Sequence, residues 1–84
     1  MMVASIDLPE IERILCNGLA GCEISLDAEG NHLNLIVVGD VFEDLSRVKR
    51  QQLVYALLKA KIASGEVHAV NMRTYTRSEY AAQS

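Results

Sequence analysis

The sequence predicts a small α+β domain in which a three-stranded mixed sheet carries helices mainly on one of its faces. Three observations predict this class: stretches with apolar residues at helical spacing, two adjacent stretches with the composition of strands, and a long helical stretch before a third strand. The chain has 84 residues, which is enough for one small core and too few for a large enclosed active site. We therefore expect one domain spanning residues 1–84.

A first helix is predicted over residues 8–20. Asp7, followed three residues later by Glu10, resembles a capping box, in which two side chains satisfy free amides at a helix start. The apolar side of the helix is formed by Ile11, Ile14, Leu15, Gly18 and Leu19. We expect a glycine, either Gly18 or Gly21, to end this helix.

Two strands are predicted next. Residues 22–27 alternate between apolar and polar side chains, which is typical of a strand with one buried side. Residues 32–38 carry apolar side chains on both faces, which indicates the central strand of the sheet. Residues 28–31 form the short turn between them, so we expect an antiparallel hairpin.

The second helix is predicted over residues 47–63, with Ser46 as its N-cap and Gly65 just beyond its end. We expect its buried face to comprise Val48, Val54, Tyr55, Leu57, Leu58 and Ile62. A third strand is predicted over residues 67–75. Because a helix of this length separates the second and third strands, these strands should be parallel, with a right-handed crossover.

The end of the chain carries a second capping box. Thr76 and Glu79 have the required spacing, which predicts a short terminal helix. No internal repeat, low-complexity stretch or linker interrupts the chain. The predicted order is therefore α-β-β-α-β-α.

The charge of the chain is unevenly distributed. The net charge is −3, which disfavours bulk electrostatic attraction to nucleic acid or to an anionic membrane. The basic segment, residues 47–61, nevertheless carries +5 and no acidic residue, which leaves −8 on the rest of the chain. This segment is either a solvated helix face or a docking surface for phosphate or an acidic partner.

Several function classes are disfavoured by what the sequence lacks. It has no apolar run long enough to span a membrane and no signal peptide at its start, so we expect a cytoplasmic protein. It also lacks a local nucleophile and base arrangement and a Gly-rich phosphate loop, so we do not expect an enzyme. Cys16 and Cys22 have five residues between them, a spacing that favours packing thiols over zinc ligands or a redox pair.

The two histidines are the side chains best suited to bind a metal. His68 opens the third strand with the parity of Val70 and Met72, and His32 begins the second strand. A neutral imidazole ligates iron or zinc, although a histidine on an apolar face is also commonly a half-buried structural residue. If both strands start at one edge of the sheet, the imidazoles could address one ion, and such a site needs further ligands from elsewhere.

Two separated segments resemble the BolA family, in particular its short IbaG-like bacterial branch. They are residues 46–55 (SRVKRQQLVY) and 67–76 (VHAVNMRTYT), and they agree with Phe42 and with the turn at residues 30–32 (GNH). The resemblance covers nearly the whole chain and implies a BolA fold, which is related to the class II KH topology. This implied fold matches the element order predicted from the residues.

The resemblance also implies a function. BolA-like proteins pair with monothiol glutaredoxins, as apo heterodimers and as heterodimers that share a [2Fe–2S] cluster. His68 stands at the position of the family's cluster-binding histidine, and His32 is the nearby candidate for the second ligand. The glutaredoxin cysteine and glutathione would complete the ligand set, whereas the isolated protein, a monomer or weak homodimer, would hold no cofactor. The implied role is in iron–sulfur cluster assembly, trafficking, or iron or stress sensing.

Two other interpretations stay open. A DNA-binding role in stress regulation is attributed to some BolA proteins, and Arg47, Lys49 and Arg50 lie near a helix N-terminus, where phosphate binds favourably. The acidic remainder of the chain would keep such binding weak and sensitive to salt. Alternatively, the protein is an adaptor whose basic helix binds an acidic partner while neither histidine binds metal.

Three residues depart from the family pattern. Asp44 replaces a glycine that is common two residues after Phe42, and Arg77 replaces a proline that commonly follows the Tyr-Thr pair. Tyr80 replaces a terminal tryptophan. These differences concern the turn before the second helix and the packing of the last helix.

Overall fold

The computed structural model describes residues 6–83. Along the chain it contains α1 (Leu8–Gly18), β1 (Glu23–Glu29), β2 (His32–Val38), a 3-10 turn (Asp40–Phe42), α2 (Arg47–Ala63), β3 (Ala69–Tyr75) and α3 (Arg77–Gln83). This order confirms the predicted α-β-β-α-β-α arrangement. Residues 1–5, on which the prediction of a chain without a signal peptide rests, lie outside the described residues. Within residues 6–83, no helix has the length and apolar character needed to cross a membrane.

The sheet has the order β1-β2-β3. β1 and β2 are antiparallel, with Glu29 opposite His32 at the turn, and β2 and β3 are parallel. The turn is shorter than predicted, because residues 28 and 29 belong to β1 and only residues 30 and 31 connect the strands. Gly30 has a φ of 60°, a left-handed conformation that lets a two-residue hairpin turn close.

The hydrophobic core lies between α1, α2 and one face of the sheet. β2 is the central strand, as predicted, and its inward residues Leu33, Leu35 and Val37 are buried. The other core residues are Ile6, Ile11, Leu15, Leu19, Phe42, Val54, Leu58 and Val67. The α+β prediction with helices on one face of a mixed sheet is therefore confirmed.

Three of the six residues predicted to form the buried face of α2 are exposed in the structure. Val54 and Leu58 are buried, and Leu57 is half-buried. The other three, Val48, Tyr55 and Ile62, are 61%, 40% and 37% exposed. They lie on a different side of the helix from Val54 and Leu58, and a helix that packs on one sheet buries only one side.

The inward side of α2 is completed by two cations instead. The side chains of Arg50 and Lys61 are only 13% and 18% exposed, and each forms an ion pair with a carboxylate. Their aliphatic stems can cover apolar surface while the charged ends meet these partners. Two members of the basic segment are therefore structural residues of the α2 packing.

The predicted helix starts are formed by side-chain caps. Ser46 Oγ accepts the Lys49 N–H at 3.2 Å, and the Thr76–Glu79 capping box is present in both directions, at 2.8 and 3.1 Å. The first capping box is only half formed. Asp7 accepts the Glu10 N–H at 3.3 Å, but the Asp7 N–H donates to Glu66 at 3.0 Å. Glu10 is drawn away because its carboxylate pairs with cations.

The bounds of three elements differ from the predictions. α1 ends at Gly18, before the expected residue 20, β1 spans Glu23–Glu29 instead of residues 22–27, and β3 begins at Ala69 instead of residue 67. The later start of β3 follows from the end of α2, where the Val67 N–H donates to the Lys61 carbonyl at 3.2 Å. Residues 65–68 therefore form the turn that brings the chain from α2 to the sheet.

Candidate functional site

His32 and His68 lie at the same end of the sheet. The parallel register places His32 opposite Ala69, and His68 immediately precedes Ala69. The His68 N–H donates to the Asn31 carbonyl at 2.9 Å, so the backbones that carry the two histidines are hydrogen-bonded neighbours. Both histidine side chains are exposed. The structure therefore brings together, at one exposed sheet end, two residues that are 36 positions apart in the sequence.

The two histidines occupy different positions at this sheet end, one on a strand and one in a turn. Leu33 faces the core, so by strand alternation His32 belongs to the face of the sheet opposite α1 and α2. His68 lies in the turn before β3, and it is exposed, unlike the half-buried Val70 and Met72 with which it shares parity. The alternative of a half-buried structural His68 is therefore wrong, because the strand that would bury it begins one residue later.

A network of hydrogen bonds fixes the turn before His68. Asn31 Nδ2 donates to the Glu66 carbonyl at 3.1 Å. The Glu66 carboxylate accepts the Asp7 N–H at 3.0 Å and the Lys61 ammonium at 3.2 Å. The Asp7 N–H, and after it Lys61, lowers the pKa of Glu66 below its ordinary value, so this carboxylate stays ionised. The hairpin turn, α1 and α2 thus all anchor the segment that carries His68.

Gly65 leaves space beside the His68 imidazole. Its φ is 86°, a conformation that favours glycine. A Cβ at this position would lie 3.9 Å from His68 Nε2, so a side chain there would occupy the space next to that nitrogen. The His68 imidazole therefore lies against a bare stretch of backbone, and it is accessible from outside.

Cys22 does not belong to this sheet end. Cys22 directly precedes β1, whose first residue pairs with Val38, while His32 pairs with Glu29 at the other end of the hairpin. Seven strand residues separate these ends by about 20 Å. Burial raises the pKa of the Cys22 thiol, and its sulfur packs against Gly39 so closely that no side chain fits there. These contacts are those of a packing thiol, as predicted for Cys22, whereas Cys16 is exposed, so the same prediction is wrong for Cys16.

The donor set at the histidine end is incomplete for a metal. Across residues 6–83 there is no group of three or more His, Cys, Asp or Glu residues arranged to hold a metal ion. The chain offers two exposed imidazoles at one place, and each can supply one nitrogen ligand to iron. Any metal held here would therefore need further ligands from outside this sheet end.

Arg50, one of the three candidate phosphate-binding residues, is already occupied. Its guanidinium forms hydrogen bonds of 2.7 and 3.2 Å to the two Glu79 carboxylate oxygens, and its Nε donates to the Leu45 carbonyl at 3.0 Å. It also lies 5.9 Å from the centroid of the Phe42 ring. Arg50 thus ties α2 to α3 and to the preceding turn, and Nε and both terminal nitrogens of its guanidinium donate to partners within the domain.

Arg47 and Lys49, the other two candidates, are exposed at the start of α2. Arg47 borders an open groove of about 260 Å³ that is also lined by Gln51, Met72, Arg73, Thr74 and Tyr75. Arg73 was not predicted as a site residue. Arg73 lines the same groove as Arg47 because of the way α2 packs against β3. The sequence carries no local signal for that packing.

The three departures from the family pattern each have a structural role. Asp44 has a φ of 67°, so this position takes the left-handed conformation for which a glycine would be suited. The Arg77 guanidinium donates to the Gly21 carbonyl at 2.7 Å, and the ring centroids of Tyr75 and Tyr80 are 5.5 Å apart. Arg77 and Tyr80 therefore help to hold α3 against the rest of the domain.

The chain is similar in sequence and in structure to several known proteins. A family model described as BolA-like protein matches residues 17–79. The chain is 42% identical over 72 residues to the Acid stress protein IbaG of Escherichia coli K12, covering 86% of each chain. The BolA domain of SufE1 from Arabidopsis thaliana is 30% identical, with a TM-score of 0.78, and BolA1 from the same plant is 28% identical, with a TM-score of 0.77. Each of these two structures matches 84% of this chain, which is 92% of its own length.

Proposed function

This chain belongs to the BolA family, and from that premise we propose that it binds a monothiol glutaredoxin and shares a [2Fe–2S] cluster with it. His68 is the principal ligand from this chain, and His32 is the second candidate. The glutaredoxin cysteine and glutathione supply the thiolate ligands. The role is in iron–sulfur cluster assembly, trafficking, or iron or stress sensing, and the stress term agrees with the name of the Escherichia coli relative.

The observation that carries this proposal is the exposed position of His68 beside the start of β2. Its backbone is held by the hydrogen bond to the Asn31 carbonyl, while its imidazole stays accessible next to Gly65. A ligand for a shared cluster needs this combination, because the nitrogen must be positioned by one protein and reached by another. The incomplete donor set also supports a cluster that exists only with the partner.

Two properties follow from imidazole ligation. A [2Fe–2S] cluster in which imidazoles replace two thiolates carries less negative charge and has a higher reduction potential than an all-thiolate cluster. His68 and His32 must be deprotonated to bind iron, so acidification favours their release. The histidines of this chain would thereby distinguish the mixed complex from a glutaredoxin homodimer.

The test is anaerobic reconstitution of the protein with a monothiol glutaredoxin, glutathione, iron and sulfide, followed by visible circular dichroism. We expect a spectrum that differs from that of glutaredoxin alone and is lost with His68→Ala. Asn71→Ala is the matched control, because Asn71 is an exposed polar residue of β3, three positions after His68. His32→Ala shows whether the second imidazole contributes. A mixed spectrum that survives His68→Ala, or a complex that takes up no cluster under these reconstitution conditions, would contradict the proposal.

Weak DNA binding is the second candidate function. It is favoured by the exposed Arg47 and Lys49 at the start of α2 and by Arg73 across the same groove. The occupied Arg50 does not add to this surface. The surface would make a few phosphate contacts, so binding should fall steeply with salt.

DNA binding is tested by fluorescence anisotropy with a short duplex over a series of salt concentrations. The Arg47→Gln/Lys49→Gln double variant should lower the affinity and reduce the salt slope by about 2. Arg13→Gln is the control, because Arg13 is an exposed cation on α1. Undetectable binding of the native protein, or equal loss with the control, excludes this function for the basic surface.

A further inference from the structure

We propose that the outer face of α2 is a docking surface for an amphipathic helix of a partner protein, one whose apolar side is flanked by Asp and Glu residues. The surface is built on Val48, Tyr55 and Ile62, which we name the apolar stripe. It is distinct from the two histidines, and the proposal does not depend on cluster binding.

The apolar stripe is exposed and regular. Val48, Tyr55 and Ile62 are three of the five large hydrophobic residues that are exposed within residues 6–83. They are spaced seven residues apart, which is two helical turns, so they form one line of about 21 Å along the helix. An open groove of about 410 Å³ runs along its C-terminal half, lined by Tyr55, Ala56, Lys59, Ile62 and Ala63.

The stripe lies outside the hydrophobic core and outside the partly buried residues packed against that core. The inward side of α2 is supplied by Val54 and Leu58, together with the stems of Arg50 and Lys61. An apolar line that the core does not use, on a helix with a separate buried side, marks an interaction surface when its members are contiguous. The small side chains of Ala56 and Ala63 beside it leave room for the side chains of a partner.

Charge identifies the kind of partner. α2 carries no acidic residue, and the exposed Lys59 follows Tyr55 by four residues and precedes Ile62 by three, so it lies beside the stripe. At the other end, Arg47 and Lys49 precede and follow Val48 in the sequence, so they lie about 100° to either side of it around the helix. A partner with carboxylates on both sides of its apolar side would therefore meet complementary charge near both ends of the stripe. A second α2 would bring the same cationic face against this one.

The spacing identifies the shape of the partner. Residues seven apart on one helix face are the positions that pack against a second helix in side-by-side helix pairs. An extended strand places side chains on one face at about 7 Å intervals, whereas the stripe residues are about 10 Å apart. A helix in this groove matches the spacing, and helix-in-groove recognition uses the same apolar contacts.

The experiment uses the metal-free protein without glutaredoxin. The probe is a fluorescent synthetic helix with Leu at the core heptad positions and Glu at the flanking positions, and a second peptide carries Lys in place of every Glu. Anisotropy titration should show saturable binding of the Glu peptide and binding of the Lys peptide that is weaker by about tenfold or more. Tyr55→Ser and Lys59→Glu should each weaken the Glu peptide by about tenfold.

The matched control is Val41→Ser, since Val41 is a large hydrophobic residue that is 44% exposed and lies outside α2. It should leave the affinity unchanged. If Tyr55→Ser loses its thermal unfolding transition, Ile62→Ser provides the same test at the other end of the groove. Equal binding of the two peptides, or equal loss with Val41→Ser, would overturn the proposal. So would a dimer of the native protein, seen by sedimentation, that Tyr55→Ser dissociates, because the stripe would then bind a second copy.

Discussion

Arg50 of α2 and Glu79 of α3 form a two-pronged ion pair, with nitrogen to oxygen distances of 2.7 and 3.2 Å. Glu79 also accepts the Thr76 N–H at 2.8 Å, so one carboxylate caps α3 and joins it to α2. The Arg50 guanidinium lowers the pKa of Glu79 to about 2, with a further contribution from the Thr76 N–H. The position of the terminal helix therefore depends on an ionised carboxylate.

We predict that this ion pair makes the stability of the domain depend on pH in the acidic range. Because the pKa of Glu79 is lower in the folded state than its ordinary value of 4.5, the stabilisation is present above pH 4.5 and is lost as the pH falls toward 2. Glu79→Gln should be less stable than the native protein at neutral pH, and the difference should shrink across this window. Urea unfolding at a series of pH values measures it. A difference that stays constant from pH 6 to 2 would show that ionisation of Glu79 is not responsible.

Because Leu58 belongs to the core and Tyr55 does not, we predict that alanine at these two positions of α2 lowers the free energy of unfolding by different amounts. Leu58 is fully buried, so Leu58→Ala should lower the free energy of unfolding by about 3 kcal/mol. Tyr55 is 40% exposed, so Tyr55→Ala should lower it by less than about 1 kcal/mol. Chemical denaturation of both variants, compared with the native protein, checks the assignment. Similar losses for the two would mean that Tyr55 belongs to the core, as its spacing alone suggests.

We predict that Gly65 keeps the space beside the His68 imidazole free of a side chain. Gly65→Ala and Gly21→Ala both place a Cβ at a positive φ, so each should lower the free energy of unfolding by about 1 kcal/mol. Only the Cβ at residue 65 would lie near His68 Nε2, whereas the one at residue 21 would meet open space. Two-dimensional NMR of the imidazole nitrogens should therefore show a shifted His68 signal in Gly65→Ala alone. A comparable shift in Gly21→Ala would indicate a general effect on the fold.

The elements that the sequence predicts well are those whose signals are local. β2 and α2 have the predicted bounds, because apolar residues on both faces define β2 and Ser46 caps α2. The Thr76–Glu79 capping box is likewise a four-residue signal, and both of its hydrogen bonds are present. Such features depend on neighbours along the chain, so they can be deduced without knowing the tertiary structure.

The errors lie where distant partners decide the outcome. Apolar periodicity assigned Val48, Tyr55 and Ile62 to the core, although Arg50 and Lys61 occupy the inward side. These cations can be inward because Glu79 and Glu10, at distances of 29 and 51 residues along the chain, pair with them. Hydropathy treats an arginine or lysine as exposed, so it cannot anticipate a partner that the fold supplies.

The sequence indicates which residues form the candidate site, but it does not indicate how they are arranged in space. His32 and His68 stand out because they are the two imidazoles of the chain, but their proximity requires the parallel register that aligns His32 with Ala69. The turn that fixes His68 depends on Glu66 and on Asn31, which the sequence offers no reason to connect. The groove shared by Arg47 and Arg73 also depends on tertiary packing.

The most direct test of the central claim is pulsed EPR of the reduced cluster in a complex whose BolA-family chain alone carries ¹⁵N-labelled histidine. We predict ¹⁵N hyperfine couplings of directly bound imidazole in the native complex and their loss in His68→Ala. Labelling restricted to this chain excludes any nitrogen of glutaredoxin or glutathione as the source of the signal. A cluster that forms in the mixed complex without ¹⁵N couplings from this chain would contradict the account, because His68 would then not be a ligand.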